Sequence, residues 1–171
     1  ATWASLSAAY GPNGVGSLST IGIDQFAESD ITGLVQEWVA GGVPNHGLML
    51  IADNKNVETR HASKEWPTVD QRPYLEVVIA TESVTLAAQQ DTAIWQTSDL
   101  ANYGACDLID LGTGGDVIGN GHPLFQFDLG ALPSPIRIVS AQLRVTKVGG
   151  AIISRNIQVY PLTAAWDEGS G

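Results

Sequence analysis

HPLFQFDLGALPSPIRIVSAQLRV, residues 122–145, decides the fold. Phe125, Phe127 and Leu129 fall on one face of an extended chain, with Gln126 and Asp128 on the other. Further on, Val139, Ala141, Leu143 and Val145 alternate with Ser140, Gln142 and Arg144. A period of two means a strand with one buried face and one face at a surface. Gly130, Pro133 and Pro135 lie between the two runs and cannot continue a ladder. The stretch therefore predicts two strands and a turn.

Working outward, residues 17–23, 46–52, 57–62 and 74–80 read as further strands, with Leu75, Val77 and Ile79 as an inward set. Residues 30–40, DITGLVQEWVA, predict the one helix. Ile31, Leu34, Val35, Trp38 and Val39 form a single apolar stripe. Asp30 serves as N-cap, and Gly41, Gly42 and Pro44 stop the helix. Residues 1–16 read as a loop anchored by Trp3 and Tyr10.

With 171 residues the chain can bury a substantial core. Eight basic against 18 acidic residues give a net charge of −10, which argues against nucleic acid and anionic membrane as partners. No run of apolar residues is long enough for a spanning helix. The 19 glycines and a charged fraction of only 15% suit a secreted, turn-rich β protein, located outside the cell or at its surface. The chain reads as a mature or cut segment. Cys106, the single cysteine, cannot form an intrachain disulfide and reads as a small buried hydrophobe.

Several motifs together resemble the DNRLRE-domain family, the disaggregatase-related β-sandwich repeats. In that family a strand ending F-D-L is followed by a Leu-Pro turn and a strand reading S-A-x-L-x-V/L, as at 125–145 here. DITGLVQEWVAGGVPNHGLML resembles the family's helix and N-x-G-L-x-L motifs, and HASKE (61–65) with RPYLEVVI (72–79) resembles its close. DTAIW (91–95), NYGACDLIDLG (102–112) and WDEGSG (166–171) resemble its opening. The order is permuted. Residues 1–80 match the C-terminal part of the family domain and 84–171 its N-terminal part, with 81–83 as a linker. The linker region 80–84 spans at most roughly 17 Å at about 3.3–3.6 Å per residue.

The resemblance implies an all-β, jelly-roll-type β-sandwich with one short helix. It also implies one of two uses. The first is a non-catalytic structural repeat of an extracellular or cell-surface filament or sheath, its partners being copies of itself joined head-to-tail. The assembly junction would then hold Ala1, Trp3, Trp166, Glu168 and Gly171. The second is a carbohydrate-binding module, since some relatives are classed in carbohydrate-binding module family 96. Sugar rings stack on exposed aromatic faces. Trp66, in the loop KEWPT, is the first candidate, followed by Tyr103 and Trp95, whereas Trp38 belongs to the core.

No G-x-S-x-G or H-E-x-x-H motif occurs, so no enzyme activity is expected. His46, His61 and His122 read as side chains of strands or strand starts, and Glu65 with Arg72 as an ion pair between strands. Asp107, Asp110 and Asp116 offer oxygens to Ca²⁺ without the EF-hand spacing. A solvated loop is the simpler reading of the three, and no cofactor is required.

Overall fold

The computed structural model describes residues 1–20, 22–53, 56–80, 82–98, 100–113, 119–133 and 136–169. Its strands are β1 (Gly16–Thr20), β2 (Gln25–Asp30), β3 (Leu48–Ala52), β4 (Val57–Ala62), β5 (Tyr74–Ile79), β6 (Ser83–Trp95), β7 (Leu108–Thr113), β8 (Gly121–Phe127), β9 (Ile138–Gly150) and β10 (Arg155–Pro161). Two helices accompany them, α1 (Trp3–Leu6) and α2 (Thr32–Val39). The class is all-β, as expected.

The layering differs from a plain two-sheet sandwich. β4, β7, β8, β6, β5 and β9 pair in turn, and β9 returns to β4, so six strands close into a ring. Among the described residues, closure between β7 and β8 rests on one glycine pair, Gly112 opposite Gly121. β3, β10 and β1 extend from β8 as an arm, and β2 lies on the other edge of β9. The long strands make this geometry. β6 pairs with β5 through its first half and with β8 through its second, with a bulge between Ala88 and Gln90. A bulge bends the strand and resets which side chains face inward.

The core lies between these layers. Phe125, Phe127, Leu75, Val77, Ala141, Leu143 and Val145 are all buried in it, as the alternation predicts. α2 adds Leu34, Val35 and Trp38 and packs against β9. It starts two residues later than the sequence suggests. Asp30 belongs to β2, but its carboxylate still accepts the Thr32 N–H (2.9 Å) and the Thr32 hydroxyl (2.6 Å). The same hydroxyl accepts the Ala141 N–H at 2.9 Å, which ties the helix start to β9.

Val139 departs from the expected inward set and is 56% exposed. Between Val78 and Ile79 the register of β5 on β9 shifts, so Ile138 takes the inward place and Val139 is turned out. Cys106 also departs, being exposed rather than buried.

Among the described residues, no strand of 1–80 pairs with another strand of 1–80. Every partner of β1 to β5 comes from β6 to β10. The two portions thus interleave in one body. Where a linker was expected, β5 and β6 form a hairpin, with Val78 opposite Ser83 and the Ile79 N–H donated to the Glu82 carbonyl at 2.9 Å.

Candidate functional site

The candidate site is the outer face of the β2–β9–β5 layer. Cross-strand pairs on one face of a sheet lie side by side. The register puts Phe26 opposite Thr146, Glu28 opposite Arg144 and Asp30 opposite Gln142. On the other edge of β9, Tyr74 is opposite Arg144 and Glu76 is opposite Gln142. Small residues Ala27 and Ser29 take the inward places of β2, which leaves Phe26 outside and 44% exposed.

An aromatic and a guanidinium organise the face. The Phe26 ring meets Tyr74 edge-on, with centroids 5.8 Å apart and planes at 76°. Arg144 lies over the Tyr74 ring at 5.6 Å, close enough for a cation–π contact. Its Nη1–H donates to the Tyr74 hydroxyl at 2.8 Å. Two glutamates hold it from either side, Glu76 Oε2 3.1 Å from Nη2 and Glu28 Oε1 2.9 Å from Nε. The Glu28 contact is an ion pair without hydrogen-bond alignment. The Tyr74 hydroxyl bond, and then the charges around it, raise the affinity of Arg144 for its proton. The result is two rings set nearly at right angles, Phe26 exposed and Tyr74 beside Arg144, with fixed polar groups around them. Such a surface can stack a sugar ring and offer acceptors to its hydroxyls.

Trp66 adjoins this face. It is half-buried, its indole N–H donates to Gln71 Oε1 (2.8 Å), and Gln71 in turn donates to Asp24 at 3.0 Å, two residues before Phe26. Arg72 Nε donates to the Trp66 carbonyl at 2.7 Å, so Arg72 is not the partner of Glu65 that the sequence suggests. No model of a protein family, no curated protein and no solved structure matches this chain. A functional reading of the face rests first on this chain's own geometry.

The other expected sugar-binding residues do not share the face. Trp95 is a core residue, 9% exposed, with Gly121 packed against its ring. It cannot serve as a surface platform. Tyr103 is partly buried against the core.

The expected junction residues do come together. The Ala1 ammonium donates to the Asp167 carbonyl, and the Asn102 amide bridges the carbonyls of Ala1 (3.4 Å) and Glu168 (2.6 Å). Trp3 and Trp166 pack on the same small cluster of Leu6, Met49, Ile94, Leu124 and Leu162. Trp3 also lies against His122, with ring centroids 4.9 Å apart, and Trp166 donates its indole N–H to the His46 carbonyl at 2.8 Å. Gly104 is required here, because a Cβ would come within 2.3 Å of the Glu168 carbonyl. Gly171 lies outside the described residues.

Beside the junction, the carboxylates of Glu65, Asp91 and Glu168 offer atoms within 4.8 Å of one another. The Lys64 ammonium joins Glu65 and lies 3.1 Å from Glu168. Asp91 is 1% exposed and accepts the Lys64 N–H at 2.6 Å, while its own N–H donates to Glu168 at 3.1 Å. Burial pushes the Asp91 carboxyl up to about 8. The Lys64 N–H opposes the rise, and the charges of Glu65 and Glu168 add to it.

The weak calcium candidates gather no such set. Asp107 is exposed, Asp110 stands in β7 with Arg60 Nε 3.7 Å away, and Asp116 lies outside the described residues. A groove of about 960 Å³ runs between the end of α2 and residues 129–139. Its amides, Gln36 and Asn45, donate to the Ile138 and Phe127 carbonyls, and Arg137 is the charged residue of its lining. Among the described residues, no helix is long and apolar enough to cross a membrane.

Phe26, Tyr74, Arg144, Glu28 and Glu76 do not stand out as a group in the sequence. A signal exists in QFAESD, where Phe26, Glu28 and Asp30 alternate with small residues. A strand with only small inward side chains turns its large ones outward.

Proposed function

We propose that this chain is a non-catalytic carbohydrate-binding module, working outside the cell or at its surface. The observation that carries this reading is the exposed Phe26 ring edge-on to Tyr74, with Arg144, Glu28 and Glu76 around Tyr74 on one sheet face. Rigid rings cost little ordering entropy on binding, and the fixed acceptors give direction. Trp66 is tied to the edge of this face through Gln71 and Asp24. The resemblance to the DNRLRE-domain family supports the reading. On this reading the ring and its arms are a jelly-roll sandwich whose layers are joined at their corners.

The test is affinity electrophoresis through gels containing soluble polysaccharides. Retardation by at least one of them, lost in both Phe26→Ala and Tyr74→Ala with folding intact, is the expected result. A protein that no polysaccharide retards, or variants that behave as the parent, would overturn it.

A second reading is the head-to-tail repeat of a filament or sheath. In this structure Ala1 meets Asp167 of its own chain, with Asn102 bridging Ala1 and Glu168, so such a repeat would join whole units rather than complementary portions. Electron microscopy of concentrated protein decides this reading.

A further inference from the structure

We infer that copies of this chain meet end to end, the turn at Val69 and Asp70 of one copy entering the groove beside Arg137 of the next; the inference rests on the head-to-tail reading and names its contact. Three observations carry it. The first is the groove of about 960 Å³ at the end of α2. Val39, Leu129, Ile136 and Val139 line it, and none of them is fully buried. The register shift that turns Val139 outward delivers it to this groove. Arg137 stands in the same lining and is exposed. Among the described lysines and arginines, Arg60, Lys64, Arg144 and Arg155 lie against carboxylates, and Arg72 and Lys147 donate to carbonyls. Arg137 does neither among the described residues. Asp128, next to the groove's Leu129, accepts the Gly130 N–H at 2.8 Å. An apolar groove with one unspent guanidinium fits an apolar side chain that has a carboxylate beside it.

Second, the chain itself presents such a pair. Val69 is 66% exposed, and Asp70 follows it in a turn, 67–70, whose residues are all exposed. The turn is held from behind. The Gln71 N–H donates to the Thr68 carbonyl at 3.0 Å, the Trp66 indole to Gln71 Oε1 at 2.8 Å, and Arg72 Nε to the Trp66 carbonyl at 2.7 Å. A turn already fixed in place loses little entropy on docking.

Third, turn and groove stand at opposite ends of one strand pair. β5 begins just after the turn, with Tyr74 opposite Arg144, and ends at Ile79, opposite Ile138 of the groove. A strand of this length spans roughly 17–20 Å. A contact between two different patches at opposite ends is heterologous, and it propagates as a line of copies unless a rotation closes it. The pairing of Asp70 with Arg137 fixes the orientation of each copy on the next. One turn in one groove falls short of the roughly 1,200 Å² of a stable complex. Free copies therefore associate weakly, and copies held close together associate far more.

The experiment is sedimentation velocity, up to millimolar protein, on the parent, Arg137→Glu, Asp70→Arg and an equimolar mixture of the two variants. Both positions are exposed, and far-UV circular dichroism checks that the fold is kept. The expected result is concentration-dependent association of the parent, at least about tenfold weaker in either variant alone. The mixture restores it, because each variant's turn then meets a groove of opposite charge. Association or filaments of the parent that neither variant moves, or that the mixture does not restore, overturn this contact and leave the head-to-tail reading to another surface. A parent that stays monomeric at every concentration, with no filaments under the electron microscope, overturns the contact and that reading together.

Discussion

At the scale of single residues, two buried titrating groups give this protein opposing pH responses. The folded-state pKa of Asp91, about 8, lies above the ordinary carboxylate value near 3.8. Between those values the folded chain holds a proton that the unfolded chain has released. Its contribution to stability therefore falls as pH rises through that window, by at most about 1.4 kcal/mol per pH unit, and is flat above it. Asp91→Asn keeps an acceptor for the Lys64 N–H and cannot ionise. Urea denaturation from pH 5 to 8 should show the variant gaining on the parent as pH rises, and parallel profiles would refute the assignment. His61 acts in the other direction. It is fully buried, and burial first, then Lys147 and Arg155, lowers its pKa to about 3. A histidine whose folded pKa is depressed lends stability above about 6.5 and loses it as pH falls below that value. Asp91 opposes this over the same range, so the measure is the difference: relative to the parent, His61→Gln should gain stability as pH falls from 6.5 to 4, giving a shallower acid limb in the same titration. An unchanged limb would place the acid response elsewhere, for instance at His122, lowered to about 4 by burial.

At the scale of elements, α2 links the local sequence to the packed core. Trp38 is 7% exposed, and Trp38→Ala should cost about 3–5 kcal/mol in denaturant melts. A loss below about 1 kcal/mol would make the helix peripheral. Asp30→Ala removes the acceptor for both Thr32 groups and loosens the Thr32–Ala141 bond behind them. Its expected cost is about 0.5–2 kcal/mol, the range of lost helix caps. Period and capping chemistry made this helix legible to within two residues, and made the inward sets of β5, β8 and most of β9 legible too. Bulges explain what was not legible. A one-residue insertion flips the faces of a strand without altering its composition, and this turned Val139 outward and hid the full length of β6, where Val84 and Leu86 alternate before the Ala88–Gln90 irregularity. The candidate face stayed hidden for a related reason. Tyr74 and Arg144 belong to strands 70 residues apart, and only register brings them together.

At the scale of the whole molecule, topology rather than any single contact defines the unit. β1 to β5 find partners only among β6 to β10, so the first portion forms no sheet by itself among the described residues, whereas β6, β8 and β7 pair within the second. The sequence motifs suggest two complementary portions, but not whether one chain completes them or two. That depends on whether the ends of β5 and β6 can be antiparallel neighbours across a few residues, and here they are. The two free edges, β1 and β2, are short and lie against each other. A Cβ on Gly16 would come within 2.8 Å of the Asp30 carbonyl, which leaves little room for an added strand between them. Closure within one chain makes a specific demand on a rearranged protein. Exposed turns tolerate new termini, and the β5–β6 turn, with Ala80 and Glu82 exposed, is such a place. A chain running 83–171 and then, through a short Gly-Ser linker, 1–80 should fold as a monomer with the parent's circular dichroism. Its melting temperature should lie within about 4 °C of the parent, equivalent to about 1 kcal/mol for a chain of this size. The comparison is made by size-exclusion chromatography with light scattering and by thermal denaturation. If the parent instead forms head-to-tail oligomers and the rearranged chain alone is monomeric, the portions are completed between molecules and the filament reading gains; if the rearranged chain fails to fold, the meeting of Ala1 with Asp167 is not a native contact.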